Sequence, residues 1–211
     1  MPNQDAVLVR QYPFGFVLAV ADGIGSDKNS EYASMSAVSA VHDVFSTITV
    51  DEIEHVSEKM SARFTELMSE APMKEAGTTC IFCAHTETLG LVLGQIGDGI
   101  CCGRIEDQPF ILKEKDSEFS NIVEPLSVAH MPCEWTVVQY RGVSKVKLML
   151  ATDGIADDII PGKEIAFSDY LLSAIEALPD DEKENKLREI IDKWETPNSN
   201  DDKTIALYSY E

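Results

Sequence analysis

The alternation of apolar and polar residues along the chain predicts a protein of strands and amphipathic helices. Residues 5–10 and 14–21 are rich in valine and leucine and flank Tyr12-Pro13-Phe14-Gly15, the pattern of a β-hairpin. Folding about the centre of that turn sets residue 5 across from residue 22, and both are aspartates. A helix follows, with Asn29 or Ser30 in position to cap it. Its apolar residues Ala37, Val38, Val41, Val44 and Phe45 recur at helical spacing. A second helix is expected to begin near Thr49, where Glu52 completes a capping box. Ile53, Val56, Met60, Phe64, Leu67 and Met68 form its apolar face.

Strands then dominate: 77–85, 89–105, 110–114, 134–140 and 146–154. Gly97, Gly99 and Gly103 mark turns or bulges inside this region, and the polar, proline-interrupted stretch 115–133 reads as a loop. Helices over 164–178 and 181–194 follow, the second with Leu187, Ile190, Ile191 and Trp194 on one face. A loop at 197–202 precedes a closing strand at 203–210. No repeat or linker interrupts the 211 residues, so the chain reads as a single α+β domain over 1–211, with strands and paired helices stacked in layers.

Composition narrows the chemistry. The formal charge is −20, and such a surface repels nucleic acid and anionic membranes, so neither is expected as a partner. The longest apolar runs fall short of a membrane span, and the polar, strand-like opening does not resemble a signal peptide. A cytoplasmic protein is expected, and a monomer, since no exposed apolar stripe stands out. The five cysteines lack disulfide or zinc spacing: Cys80 and Cys83 should point to opposite faces of a strand, Cys101 and Cys102 should diverge, and Cys133 stands alone. Buried free thiols are the expectation. The four histidines, His42, His55, His85 and His130, are scattered and read as structural or surface residues.

The aspartates are different. Asp22 in "LAVADG", Asp98 in "LGQIGDG" and Asp153 in "LMLATDG" each follow an apolar strand and precede glycine, while Asp201 and Asp202 in "NSNDDKT" stand just before the last strand. Any one of them is ordinary turn chemistry. Their repetition in distant segments suggests strand ends converging at one sheet edge, where so many carboxylates require cations. Oxygen-only ligands select magnesium, manganese or calcium rather than zinc. A calcium-binding EF-hand is excluded, because counting from Asp22 places Asp27 at the glycine position and Ala33 at the glutamate position.

Six segments in order, "NQDAVL", "VLAVADGIGS", "AGTTCIFCAH", "LGQIGDGICCGR", "LMLATDGIAD" and "NDDKTIALY", resemble the motifs of the metal-dependent serine/threonine protein phosphatases, the type 2C or PPM family in its bacterial form. The resemblance covers nearly the whole chain. It implies a four-layer α-β-β-α sandwich: two antiparallel sheets with paired helices on each outer face. It also implies a binuclear Mn2+ or Mg2+ centre at one end. In that scheme Asp22 bridges both metals, the Gly23 carbonyl binds one, and Asp153 and Asp201 hold the other. Asp5 orients water, and Asp98 with Asp153 matches the place of a third, weaker metal. The implied reaction is in-line attack of metal-activated water on a phosphoserine or phosphothreonine of a protein, without a phosphoenzyme. A serine/threonine kinase would be a plausible partner by the same analogy.

There are departures from the family pattern. The phosphate-binding arginine upstream of the opening motif is absent, which leaves open a shortened N-terminal strand. Arg10 and Arg141 are candidate substitutes. Gln4 stands where a glutamate precedes Asp5 in many members. Ile24 stands where eukaryotic members carry a histidine, so the leaving alkoxide would take its proton from water at the metals. The stretch between Asp98 and Asp153 is short, implying a reduced flap over 115–133, with 120–127 a candidate substrate-selecting segment. Two further readings stay open. One is a PPM-fold binding or regulatory module with weak or no catalysis. The other is an unrelated acidic domain whose aspartates are only turns.

Overall fold

A computed structural model describes residues 3–24, 29–69, 76–112, 125–196 and 198–211. Two antiparallel sheets form the centre. The first has the strand order β1 (Asp5–Tyr12), β2 (Gly15–Ile24), β4 (Cys80–Thr86), β5 (Gly90–Ile96), β8 (Thr136–Tyr140), with the short β3 (Gly77–Thr78) beside the end of β2. The second has the order β10 (Ile205–Tyr210), β9 (Val146–Ala151), β6 (Ile100–Ile105), β7 (Gln108–Leu112). Helices α1 (Ser30–Phe45) and α2 (Val56–Met68) lie on the first sheet, and α4 (Glu164–Glu176) and α5 (Asp180–Asp192) on the second. A single helical turn, α3 (Asp153–Ala156), follows β9.

Three separate apolar clusters show that these are four layers. Val41, Phe45, Met60 and Phe64 pack against Val17, Ala19 and Phe82 of the first sheet. Leu18, Val20, Ile81 and Leu93 meet Cys101, Leu148, Leu150 and Tyr208 between the sheets. Cys102, Met149 and Ile205 face Leu171, Ile190 and Trp194 outside the second sheet. Strand alternation produces this arrangement, since successive residues serve opposite clusters. The cysteines follow it: Cys80 and Cys83 fall in different clusters, as do Cys101 and Cys102. All five thiols are free.

The predicted hairpin is present with Asp5 paired to Asp22. The Thr49–Glu52 capping box is also present, but it caps a 3-10 turn over Val50–His55, and the α-helix begins only at Val56. The expected strand 89–105 is two strands, broken at Gly97-Asp98-Gly99, where both glycines have positive φ (79° and 93°). The expected strand 146–154 stops at Ala151, so Asp153 opens a helical turn instead. Most of the expected 115–133 loop, up to residue 124, lies outside the described residues. Its end is fastened: Leu126 and Thr78 exchange backbone hydrogen bonds of 2.9 and 3.1 Å. Among the described residues, no helix is long and apolar enough to cross a membrane.

Candidate metal centre

On β1 and β2, paired residues share a face. Val20 and Leu18 point between the sheets, so Asp22 and its partner Asp5 do too, at the sandwich end. The two carboxyls are close enough that the Asp5 charge raises Asp22. The Asp22 backbone is gripped from both sides. Its N–H donates to Thr79 Oγ1 at 3.0 Å, and its carbonyl accepts from Thr79 N at 2.8 Å and Thr78 Oγ1 at 2.7 Å. At Gly23 a β-carbon would stand 2.2 Å from the Ser30 carbonyl oxygen, so only glycine lets the start of α1 seat against this strand.

The second sheet delivers the other carboxylates to the same end. Asp98 rides the β5–β6 turn, whose flanking carbonyls, Gly97 and Gly99, accept from the Gln95 amide at 3.1 and 3.3 Å. Asp153 follows Thr152, which links the two sheets at this end. The Thr152 hydroxyl donates to Asp5 Oδ2 at 2.9 Å and accepts from Thr204 N–H at 3.1 Å. The loop carrying Asp201 and Asp202 is pinned by Asp158, which accepts from Trp194 Nε1 and from the Asn198 and Ser199 backbone at 2.8–3.1 Å. Asp202 accepts from Gln4 N–H at 2.7 Å.

The electrostatics record the crowding. Asp22 is pushed up to about 8, first by burial and then by the Asp5 and Asp153 charges. Burial, with Asp98 and Asp201 nearby, raises Asp153 to about 6. Asp5 and Asp98 are raised as well, burial again the largest cause. Asp5 Oδ1 and Asp153 Oδ1 are buried with no hydrogen-bond partner. Buried unpaired carboxylate oxygens are costly, and they are what oxygen-ligand cation sites present. The donor set therefore fits hard divalent ions. Among the described residues, no three acidic, histidine or cysteine side chains are arranged to hold one ion by themselves.

The structure thus brings Asp5, Asp22, Gly23, Asp98, Asp153 and Asp201 to one end of the sandwich. It does not bring the two arginines. Arg10 lies five residues along β1 from Asp5, about 17 Å away, and its odd-even position turns it to the helix side of the sheet. Arg141 follows β8 beside Gly90, also at the far end. Neither can substitute for a phosphate-binding arginine here. The clamp residues Thr79, Thr152, Thr204 and Asp158 were not read as functional from sequence. A signal existed for the threonines, since each lies within a few residues of a motif aspartate or glycine.

The fold is thus a sandwich of two antiparallel sheets with helices outside, and carboxylates from separate chain segments gather at one end of it. The protein phosphatase 2C model matches residues 1–192, and the chain belongs to that family. No curated protein sequence matches it. Solved structures do. The serine/threonine phosphatase Stp1 from Staphylococcus aureus superposes with a TM-score of 0.68 at 18% identity, covering 100% of this chain and 90% of that one. The catalytic domain of the phosphatase PstP, solved with two manganese ions, gives 0.67 at 18%, with 99% and 91% covered. The PPM Ser-Thr phosphatase MsPP from Mycobacterium smegmatis, solved with cacodylate, gives 0.66 at 19%, with 97% and 90% covered.

Proposed function

We propose that this chain is a protein phosphatase that hydrolyses phosphoserine or phosphothreonine at a centre of two Mn2+ or Mg2+ ions. The observation that carries this reading is the carboxylate cluster with its two orphaned oxygens, Asp5 Oδ1 and Asp153 Oδ1. Asp22, Asp153, Asp201 and the Gly23 carbonyl would hold the two ions, with Asp98 and Asp153 available to a third. Backbone carbonyl and water complete what the side chains alone do not. When bound, such ions activate water and neutralise phosphate oxygens. The protein's own part is positioning. Thr152 holds Oδ2 of Asp5, and Oδ1, which has no hydrogen-bond partner, would be available to accept a proton from attacking water. The clamp of Thr78 and Thr79 fixes Asp22, and the Gln95 amide fixes the turn bearing Asp98. The substrate would be a phosphorylated segment of a protein.

The test is turnover of a phosphothreonine peptide with manganese, with magnesium, and with EDTA. Metal-dependent turnover is expected, reduced by about a thousandfold or more in Asp153→Asn. Calorimetric manganese binding without turnover would instead assign the fold to a binding or regulatory role.

A further inference from the structure

The space between the sheets is filled by aliphatic side chains in its middle. At the end away from the carboxylates it finishes in aromatic ones. Phe16 and His85 pair across β2 and β4 and share the inter-sheet face with Leu18, while Tyr208 and Tyr210 reach the same space from β10. His85 ties this group together. Its Nδ1 hydrogen-bonds the Tyr208 hydroxyl at 2.8 Å, and its ring meets Tyr208 and Tyr210 edge-to-face with centroids 5.9 and 4.6 Å apart. Phe16 tilts against Tyr208 at 6.0 Å. Burial holds the His85 imidazole below its ordinary pKa, so it is uncharged at neutral pH. Beside these rings, the turn at Pro13, the turn at Glu87 and the connection at Gly142 enclose a cleft of about 330 Å³, large enough for a small ligand. Phe16 stands six residues along β2 from Asp22, so the cleft is about 20 Å from the candidate metal centre.

The lining selects a ligand by charge. Among the described residues around the cleft, Glu87 is the one charged side chain, and no lysine or arginine takes part, Arg141 beside Gly142 included. The next lysines along the chain, Lys145 and Lys147, are engaged by Asp107 and Glu176. Phe16 and Tyr210 are 36% and 44% exposed although both belong to the inter-sheet face, so ring surface stands open to the cleft. Open π faces with a carboxylate at the rim attract a cation. A flat, weakly hydrated guanidinium gains more from ring faces than a compact ammonium does. We propose that this cleft binds a small alkylguanidinium compound, its plane against Phe16 and Tyr210 and its N–H edge towards Glu87. An anion is opposed by Glu87 and by the net charge of −20. The site is separate from the carboxylate cluster, and its failure leaves the phosphatase reading untouched.

The test is a titration of the isotope-labelled protein with butylguanidinium, followed by NMR with magnesium present. The amides of Gly15, Gly90 and Gly142 report on the cleft, and those of Gly23 and Gly99 on the carboxylate end. Saturable shifts are expected in the first set, with a dissociation constant of about 1 mM, about fivefold tighter than for butylammonium. Phe16→Leu/Tyr210→Leu should weaken binding about tenfold. Glu87→Gln, at an exposed position, should weaken it about threefold, and it carries the test if the double variant does not fold. Equal affinity for butylammonium, shifts confined to the carboxylate end, undiminished binding to either variant, or no saturable shift up to about 10 mM overturns the proposal. Tighter binding of neutral para-cresol overturns it too, and gives the cleft to an uncharged aromatic ligand.

Discussion

The two ends of the sandwich treat carboxylates in opposite ways. At the far end of the second sheet the chain supplies its own cations: Lys147 meets Glu176 at 2.6 Å, Lys145 meets Asp107 at 3.0 Å, and Arg104 meets Asp169 at 2.8 Å. Lys147 holds the Glu176 carboxyl below its usual range. At the near end, no described lysine or arginine bonds a carboxyl of Asp5, Asp22, Asp98 or Asp153, and those groups are raised, Asp22 to about 8. Residue type is the same at both ends. The location of the counter-charge differs, inside the chain at one end and outside it at the other. A carboxylate cluster built without internal cations, yet held rigid by threonine hydroxyls and backbone, is arranged for something it must acquire.

The largest predicted effect comes from disturbing that rigidity. A β-carbon at Gly154 would stand 1.9 Å from the Asp202 carbonyl oxygen, so Gly154→Ala must push the Asp201 loop away from α3. A loss of about 3 kcal/mol is expected in denaturant unfolding, with manganese affinity falling as well. The same substitution at Gly142, whose β-carbon would meet nothing within 4 Å, tests the comparison from the far end. Because φ there is +68°, it should cost only about 1 kcal/mol of backbone strain and leave metal binding alone.

Next is the response of the metal-free protein to pH. Asp22 and Asp153 have folded values of about 8 and about 6, above the unfolded value of 3.8. Between those limits the folded state binds more protons than the unfolded state, so stability falls as pH rises. The thermal midpoint in EDTA should drop by several degrees from about pH 5 to pH 8. Manganese should restore more at pH 8 than at pH 5, because binding only to the folded state adds to its stability. A metal-free midpoint that rises over this window would break the contrast between the two ends.

Much of this was legible in the sequence, for a physical reason. The Asp5–Asp22 pairing follows from hairpin arithmetic, and the three clusters follow from strand alternation and helical spacing, which are local rules. The misses are tertiary. The break at Gly97-Asp98-Gly99 depends on two positive-φ glycines and on Gln95 reaching their carbonyls. The helical turn at Asp153 depends on Thr152 leaving β9 to bond Asp5, 147 residues away. The exclusion of Arg10 and Arg141 depends on where each strand ends, which spacing alone does not disclose.

Thr152→Val tests the join between the sheets with a smaller effect. The substitution keeps the shape and removes the hydroxyl, so Asp5 Oδ2 loses its donor and the Thr204 N–H its acceptor. A loss of about 1.5 kcal/mol is expected. The Asp5 carboxyl should titrate still higher, since the Thr152 bond is one of the contacts holding it down. Carboxyl titration by NMR on the metal-free protein reads this directly, and a wild-type value for Asp5 would show that Thr152 is only a packing residue.

The smallest effect belongs to the far end, and its sign completes the contrast. Glu176→Gln removes the charge that Lys147 meets at 2.6 Å but keeps an oxygen for Ser209, which donates to it at 3.1 Å. The pair is partly exposed, so at neutral pH the loss should be about 0.5 kcal/mol. A carboxyl whose folded value is depressed contributes stability above its unfolded value and loses it as pH falls through the folded one. The wild type should therefore lose this contribution below about pH 4.5, and the variant, having none to lose, should converge on it there. Urea unfolding at about pH 7 and pH 3 measures both limits. Acidification then weakens the far end where it relieves the near end, and a variant whose deficit grew on acidification would show that Glu176 does not owe its depressed value to Lys147.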